Sequence, residues 1–531
     1  MRINPFSRRD LLRGGRDLGT LLAASALLGD DTYLVLSAEG AQDARRTAPD
    51  MYRSIGVRPL VNARGTFTII SGSLMLPEVR AAMDAAARQY VHLDELAEAI
   101  GARLATLTGA EWGLVTSGCS AALTHATAAC VAGGNPDLHV RMPNLSGFAK
   151  DEVIIPRHSR NVYDAAVRVV GARVIEVGSV AELDAALGPR TAMIYVLAGT
   201  GADRSVLNLT AIAQIAGPKG VPILVDAAAE ILTIPNVHLQ NGATLVAYSG
   251  GKCLRGPQTA GLLLGRKDLV RAAWVHSAPH HGPGRAMKVG KEEAMGMLTA
   301  VEMWVKRDHD AEWKQWMAWL DRISRRLAAI DGVTTTITQP GGLSNRTPSL
   351  RVWWDPQRLG FSGETVARTL LETEPRIALS AGRRAGPPVE TGVSVTPYMM
   401  SAGDETLVAD RLHALLTSRS LRDPVVETAT PVSDLTGRWN VTIEYASGSS
   451  AHALHLRQRG HDIDGTHQGD FVSRDLTGTI SGSDVRLRSS YGGQSGDSLS
   501  FTFTGKVSGE AMSGDLDMGE YLGAKWTARR G

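Results

Sequence analysis

Between about residue 50 and residue 300 short apolar runs alternate with helix-patterned segments, and this alternation constrains the fold more than any other feature of the chain. The apolar runs cover 113–116, 152–155, 173–177, 192–197, 222–225 and 244–248. Runs this short, rich in Val, Ile and Leu, suit strands buried on both faces. Helix-patterned segments at 77–88, 94–107, 119–131, 165–170 and 209–216 lie between or before them. Strand–helix–strand repetition predicts βαβ units and a mostly parallel sheet, with ligands bound beyond the carboxyl ends of the strands.

The pattern changes further along. Residues 290–330 read as a long helix or helix pair, whose Met and Trp residues at helical spacing suit a packed face. Residues 333–420 alternate strand-like and helical segments, as a smaller α/β unit would. The stretch LRDPVVETATPVS, 421–433, reads as a linker. From 434 to 531 the chain is rich in Gly, Ser and Thr, with turn signals about every 10 residues, which predicts a small antiparallel barrel or sandwich. The expected organisation is a signal and irregular segment at 1–45, a large unit at 46–300, a small α/β unit at 301–420, the linker, and the all-β unit. A chain of 531 residues is long enough for several such units.

Residues 7–13, SRRDLLR, place a twin arginine, Arg8-Arg9, ahead of an apolar stretch from Leu18 to Leu28. That stretch is shorter than the roughly 20 residues an ordinary membrane span needs. The pattern resembles a twin-arginine (Tat) export signal. It predicts a periplasmic protein, delivered by the Tat machinery and tethered if the signal is kept. Ala38 and Ala41 are candidate cleavage points.

Lys+Arg total 56 against 54 for Asp+Glu, a formal net charge of +2. That balance offers no basic stripe for nucleic acid. The three cysteines, Cys119, Cys130 and Cys253, make no disulfide framework, and no CxxC or HExxH spacing is present, so no metal is expected. Cys130 lies in an apolar run and reads as a small buried side chain. His452, His455, His461 and His467 cluster late in the chain and read as surface or strand histidines.

Chemistry concentrates in four segments. In TLVAYSGGKCLRGPQTAGLLLG, 244–265, an apolar run ends in Ser249-Gly250-Gly251-Lys252. Glycines let the backbone turn and approach a ligand closely. A lysine amine held there can form an imine with an aldehyde cofactor. In VPILVDAAAE, 221–230, Asp226 ends a buried run; pyridoxal 5'-phosphate (PLP) needs such a carboxylate at its ring nitrogen to remain an electron sink. In LVTSGCSAALTHATAAC, 114–130, Ser117-Gly118-Cys119 open a helix whose N–H groups suit a phosphate, as does the Ser249 hydroxyl. In IIPRHSRNVYDAAVR, 154–168, His158 suits stacking on a flat ring, and Arg157 and Arg160 suit a substrate carboxylate or phosphate.

These stretches, with VRPLVNARGTFT and GRAMKVGKEEAMG, resemble fold-type-I PLP enzymes of the selenocysteine-synthase-like group. That group includes bacterial L-seryl-tRNA(Sec) selenium transferase and the D-glucosaminate-6-phosphate ammonia-lyase type. The resemblance spans about residues 52–420. It implies the aspartate-aminotransferase-like fold, PLP as cofactor, Lys252 as Schiff-base lysine, Asp226 at the pyridine nitrogen, and Ser117-Gly118-Cys119 at the phosphate. It also implies a homodimer or larger homo-oligomer with shared active sites. Arg285, Lys288 and Lys291 would then reach cofactor or substrate; without the resemblance they read as a basic helix start.

Two features depart from the group. No tRNA-binding module is evident ahead of the catalytic region, and the C-terminal unit is an addition of lipocalin-like or avidin-like character. The expected activity is β-elimination or β-replacement on an amino acid or amino sugar acid. Selenium transfer to seryl-tRNA and transamination stay open, as does an exported PLP-fold protein that binds without catalysing.

Overall fold

The computed structural model describes residues 50–387, 389–423, 429–492 and 498–531. The Tat-type segment lies outside the described residues, as does part of the expected linker. Residues 50–59 carry one helical turn, Met51–Ser54, whose first N–H groups are capped by the Asp50 carboxylate. No helix among the described residues is long and apolar enough to cross a membrane.

A seven-stranded sheet organises the first half of the molecule. Its strands are β1 (Trp112–Thr116), β2 (Glu152–Pro156), β3 (Arg173–Val177), β4 (Thr191–Leu197), β5 (Ile223–Asp226), β6 (Leu245–Ser249) and β7 (Gly261–Gly265). Their spatial order is β1-β7-β6-β5-β4-β2-β3. The contacts among β6, β5, β4, β2 and β3 are parallel; β7 runs antiparallel to both β6 and β1. The sheet is therefore mixed but mostly parallel. The Gly-rich Lys252 segment is too short for a crossover helix, so β7 can only return antiparallel.

Both faces of the sheet are covered, which explains the unbroken apolar runs. Val115, Ile194, Val225, Val246 and Leu264 belong to one core, and Leu114, Met193, Leu224, Leu245 and Leu263 to the other. Each such side chain taken fully out of water contributes about 1.5–3 kcal/mol. Helix Gly118–Ala132 buries every residue except Gly118 and Ser120. Surrounded on all sides, it has no polar face, so alanine, threonine and cysteine supply volume without crowding.

Residues 290–330 form the second of the two arrangements expected from sequence, a helix pair, Lys291–Lys306 and His309–Ala328; Asp308 caps the second helix through its side chain on the Ala311 N–H. A second, four-stranded antiparallel sheet follows: β8 (Val333–Thr338), β9 (Ser349–Trp354), β10 (Ser380–Arg384) and β11 (Glu390–Val395), in the order β10-β11-β9-β8. Its core includes Leu320, Ile323 and Leu327 of helix His309–Ala328. Val61–Asn62 pairs in parallel with Ile377–Ala378, and Ala63 is buried in this smaller core. A two-residue strand has no periodicity to reveal such pairing.

The last segment is a closed eight-stranded barrel: β12 (Gly437–Glu444), β13 (Ser449–Arg459), β14 (Asp462–Gln468), β15 (Ser473–Ser481), β16 (Asp484–Gly492), β17 (Ser498–Ser508), β18 (Ala511–Asp517) and β19 (Gly523–Arg530). Neighbours pair antiparallel and β12 closes on β19, so no edge strand is left open. Burial alternates along β12, with Trp439, Val441 and Ile443 inward. His452 and His467 also point inward and are buried, whereas His455 is exposed.

Candidate active site

The carboxyl ends of β1, β2, β4, β5 and β6 lie along the same edge of the sheet, since these strands share one direction. Ser117, His158, Asp226 and Lys252 each stand at or just beyond one of those ends. The edge therefore gathers residues spread over more than 130 positions of sequence, as parallel sheets gather ligand-binding groups.

Asp226, the last residue of β5, is 2% exposed. Its Oδ2 accepts a hydrogen bond from the Tyr195 hydroxyl at 2.9 Å. Its Oδ1 accepts from the Ala228 N–H at 3.1 Å and from the Cys119 thiol at 3.6 Å. Burial pushes the carboxyl above its ordinary range, and the Tyr195 and Ala228 hydrogen bonds and the Lys252 charge work against that rise. Burial and the adjoining carboxylate hold the Cys119 thiol well up, so it is a protonated donor rather than a nucleophile.

Tyr195 itself is oriented. The Asn161 amide donates to its hydroxyl at 3.0 Å, and the Ser159 hydroxyl accepts from the Leu197 N–H at 3.1 Å. Asn161, Tyr195 and Asp226 thus form a directed series of donors ending on the carboxylate. Neither Asn161 nor Tyr195 stood out in the sequence. Tyr195 lies inside TAMIYVL, where it reads as core.

Lys252 is half-buried in the turn between β6 and β7. Backbone bonds fix that turn: Gly250 N–H to Ala260 C=O at 2.8 Å, Gly256 N–H to Gly250 C=O at 2.9 Å and Arg255 N–H to Lys252 C=O at 3.0 Å. A Cβ on Gly250 would lie 2.7 Å from the Ala260 carbonyl oxygen, so close approach is what requires glycine there. Ser249 ends β6, half-buried.

Helix Gly118–Ala132 begins with Ser117 as N-cap and no side chain capping its first N–H groups. Gly118 has φ +82°, a conformation open to glycine. A Cβ on Gly261 would sit 2.3 Å from the Gly118 backbone, so two glycines let this helix start seat against β7. Unspent N–H groups beside the half-buried Ser117 hydroxyl suit a phosphate.

His158 is half-buried, and its Nε2 is buried without a hydrogen-bond partner. Burial lowers its pKa, which keeps the ring neutral near pH 7. The uncapped helix start and the buried carboxylate are the polar features a pyridine aldehyde phosphate would satisfy, and His158 offers a neutral flat ring at the same sheet edge, so these residues fit PLP.

The basic residues behave differently. Arg157 pairs with Glu182 at 3.0 Å. Arg160, its side chain only 10% exposed, pairs with buried Asp164 at 2.6 Å and with Glu176. Lys291 pairs with Glu292. Arg285 and Lys288 are exposed on the segment before helix Lys291–Lys306 and make no side-chain hydrogen bond or ion pair among the described residues. None of the five contacts the Asp226 network, and Arg157, Arg160 and Lys291 are engaged locally by carboxylates.

A cleft of about 810 Å³ opens one residue past Lys252, lined by Cys253, Trp304, Trp313, Trp316, Arg346 and Tyr398 among others. Trp313, Trp316 and Trp319 are only half-buried and line this cleft, while Trp319 also packs against the core of the smaller sheet, so the tryptophan face meets both.

The sequence matches no family profile. It is 31% identical over 377 residues to D-glucosaminate-6-phosphate ammonia lyase of Salmonella typhimurium, covering 69% of this chain and 98% of the relative. It is 32% identical over 379 residues to a 5'-C-glycyluridine monooxygenase-decarboxylase of a Streptomyces species, covering 69% of this chain and 92% of the relative. The chain belongs to the selenocysteine-synthase-like family of PLP enzymes. L-seryl-tRNA(Sec) selenium transferase of Moorella thermoacetica is a more distant member, 27% identical over 275 residues, 44% of this chain and 53% of that one. The solved structure of a D-glucosaminate-6-phosphate ammonia-lyase superposes with a TM-score of 0.61 at 29% identity, covering 70% of this chain and 98% of that one. The fold is that of fold-type-I PLP enzymes with a closed β-barrel added, and the cofactor of this family member is PLP.

Proposed function

We propose that this enzyme is a PLP-dependent lyase or transferase that eliminates or replaces a β substituent of an amino acid or amino sugar acid, with Lys252 as its Schiff-base lysine. The observation that carries the reading is the buried Asp226 carboxylate, braced by Tyr195 at 2.9 Å, at the strand end next to the Lys252 turn. Bound PLP supplies an aldehyde for the substrate amine and a ring that draws electrons from the neighbouring carbon.

The chain's own residues would then act as follows. Asp226 Oδ1 or Oδ2 holds a proton on the ring nitrogen. The N–H groups that open helix Gly118–Ala132, with Ser117, Cys119 and Ser249 beside them, bind the phosphate. His158 covers the ring as a neutral flat surface. Lys252 Nζ, once free of the aldehyde, takes the proton from the α carbon and delivers a proton to the departing β group. The same proton transfers serve elimination, with release of ammonia and a keto acid, and replacement by a nucleophile. Arg285 and Lys288, exposed and without an ion pair among the described residues, are open to a substrate phosphate.

The ammonia-lyase relative makes a phosphorylated amino sugar acid the first substrate to test. Holoenzyme incubated with D-glucosaminate 6-phosphate, and with β-hydroxy amino acids, should release ammonia and keto acid in equal amounts. A second reading is supported by the 32% identity to a monooxygenase-decarboxylase. Oxygen uptake with loss of carbon dioxide, and no β-elimination, would favour it. Robust selenium transfer to seryl-tRNA would overturn both. The Arg8-Arg9 segment supports periplasmic delivery by the Tat route, tested by fractionation of cells carrying Arg8→Lys with Arg9→Lys.

A further inference from the structure

The two ends of the β-barrel differ in chemistry. Toward one end the interior is apolar, with Leu435, Trp439, Ile480 and Val507 all 3% exposed or less. The indole N–H groups of the interior are spent on backbone: Trp439 at this end donates to the Leu435 carbonyl at 2.9 Å, and Trp526, nearer the middle, to the Thr504 carbonyl at 3.2 Å.

The other end holds a connected polar series. The Tyr445 hydroxyl and Ser450 Oγ lie 2.6 Å apart, Ser450 Oγ and His452 Nε2 3.1 Å, His452 Nδ1 and His467 Nε2 2.8 Å, and His467 Nδ1 and Ser489 Oγ 2.7 Å. Every nitrogen of both rings is thereby satisfied. Burial lowers both histidines, His467 to about 3, so the rings stay neutral at physiological pH.

Arg474 is the exception. It is 7% exposed, its guanidinium stacks 4.8 Å from the centre of the Phe501 ring, and its Nε is buried without a partner. Its hydrogen bond is a long one, 3.3 Å from Nη1 to the Val472 carbonyl. No carboxylate among the described residues lies within ion-pair distance; Asp470 is turned toward His452, at 3.7 Å. A buried cation held by one long hydrogen bond, with Asp470 acting on it only from beyond ion-pair distance, is expensive, and neutral histidines beside it do not repay the cost. Phe501, under the guanidinium, also lines a cavity of about 400 Å³ open at this end, together with Tyr445, Leu499, Met518, Tyr521 and Leu522.

We propose that this end of the barrel binds a small organic anion, a carboxylate on an apolar or aromatic body. The body lies in the cavity against Phe501, Leu499 and Met518. The carboxylate reaches the Arg474 guanidinium, whose planar donors match it in pairs. The polar series from Tyr445 to Ser489 holds the histidines neutral and fixed beside the cation.

The test is calorimetric titration of the full-length holoenzyme with 1-naphthoate and with its uncharged counterpart 1-naphthamide. The expected result is one naphthoate site per chain, about 10-fold or more tighter than naphthamide, as a charge-assisted contact would give. Arg474→Gln should bring the two probes to equal affinity, and Arg474→Lys should restore part of the difference. Ser447 is exposed on the cavity lip, so Ser447→Trp leaves the barrel folded and should weaken both probes. If Arg474→Gln does not fold, the Ser447→Trp result decides. Absence of naphthoate binding, equal affinity for the two probes in the native protein, or naphthoate binding unchanged in Ser447→Trp or in folded Arg474→Gln would overturn the proposal.

Discussion

The Tyr195 hydroxyl donates to Asp226 Oδ2 at 2.9 Å, inside a sheet where neither group reaches water. A donor there stabilises the carboxylate against the burial that pushes its pKa up. Tyr195→Phe should therefore retain cofactor and KM but lower kcat by about 10-fold, the worth of one hydrogen bond to a charged group. Because the carboxyl then protonates more easily, the acid limb of the pH–rate profile should move to higher pH. An unmoved limb would mean that Tyr195 serves packing alone.

Asp226→Asn should do more. Removing one partner of a buried charge pair costs about 3–5 kcal/mol, so kcat should fall by about 10²–10³-fold or more. PLP affinity, measured by equilibrium dialysis, should weaken less than kcat, because the phosphate contacts proposed at Ser117–Cys119 would stay in place. Equal losses in both would locate the role of Asp226 in binding only.

The residues just discussed were not equally legible in the sequence. Asp226 and Lys252 stood out because each ends an apolar run with a charge, which a buried strand interior does not tolerate. Tyr195 and Asn161 did not, since an aromatic within a strand and an Asn near a helix start both have ordinary structural uses. Strand positions were readable from runs of Val, Ile and Leu. The reversed direction of β7 was not marked by its apolar pattern, which is the same for either direction in a doubly covered sheet. In the barrel the two-residue period places His452 on the face of Leu454 and Leu456, so its burial was available from sequence, while its pairing with His467 across β13 and β14 depended on register. The Trp313, Trp316 and Trp319 spacing shows a helix face but not whether that face meets a core or a cleft.

Arg160 is a structural residue on this account. It bridges buried Asp164 and Glu176, and Asp164 keeps a second partner in Arg168 at 2.8 Å. Arg160→Gln should destabilise the protein by about 3 kcal/mol, the low end for breaking a buried pair, because Arg168 remains. The check is a urea unfolding curve together with KM of the folded fraction. A raised KM at unchanged stability would return Arg160 to the substrate.

His125 is fully buried in helix Gly118–Ala132 with neither ring nitrogen hydrogen-bonded, and burial lowers its pKa to about 3. With its ordinary value near 6.5, the unfolded chain binds a proton that the folded one refuses. Its contribution to stability is thus complete above pH 6.5 and falls away as pH drops toward 3, by up to about 1.4 kcal/mol per pH unit. His125→Leu removes an unsatisfied polar group from the core and should be neutral or stabilising at pH 7. Its stability should also fall less steeply than that of the native protein between pH 6.5 and 5. Parallel curves for the two proteins would contradict the assignment.

Lys252 anchors everything proposed for the reaction. The direct measurement is borohydride reduction of the purified holoenzyme, followed by peptide mass spectrometry to find the lysine that carries the phosphopyridoxyl group. The predicted result is a single modified residue, Lys252, with no modification and no visible cofactor band in Lys252→Ala. Modification at another lysine, such as Lys288 or Lys291, or a cofactor band that persists in Lys252→Ala, would contradict it.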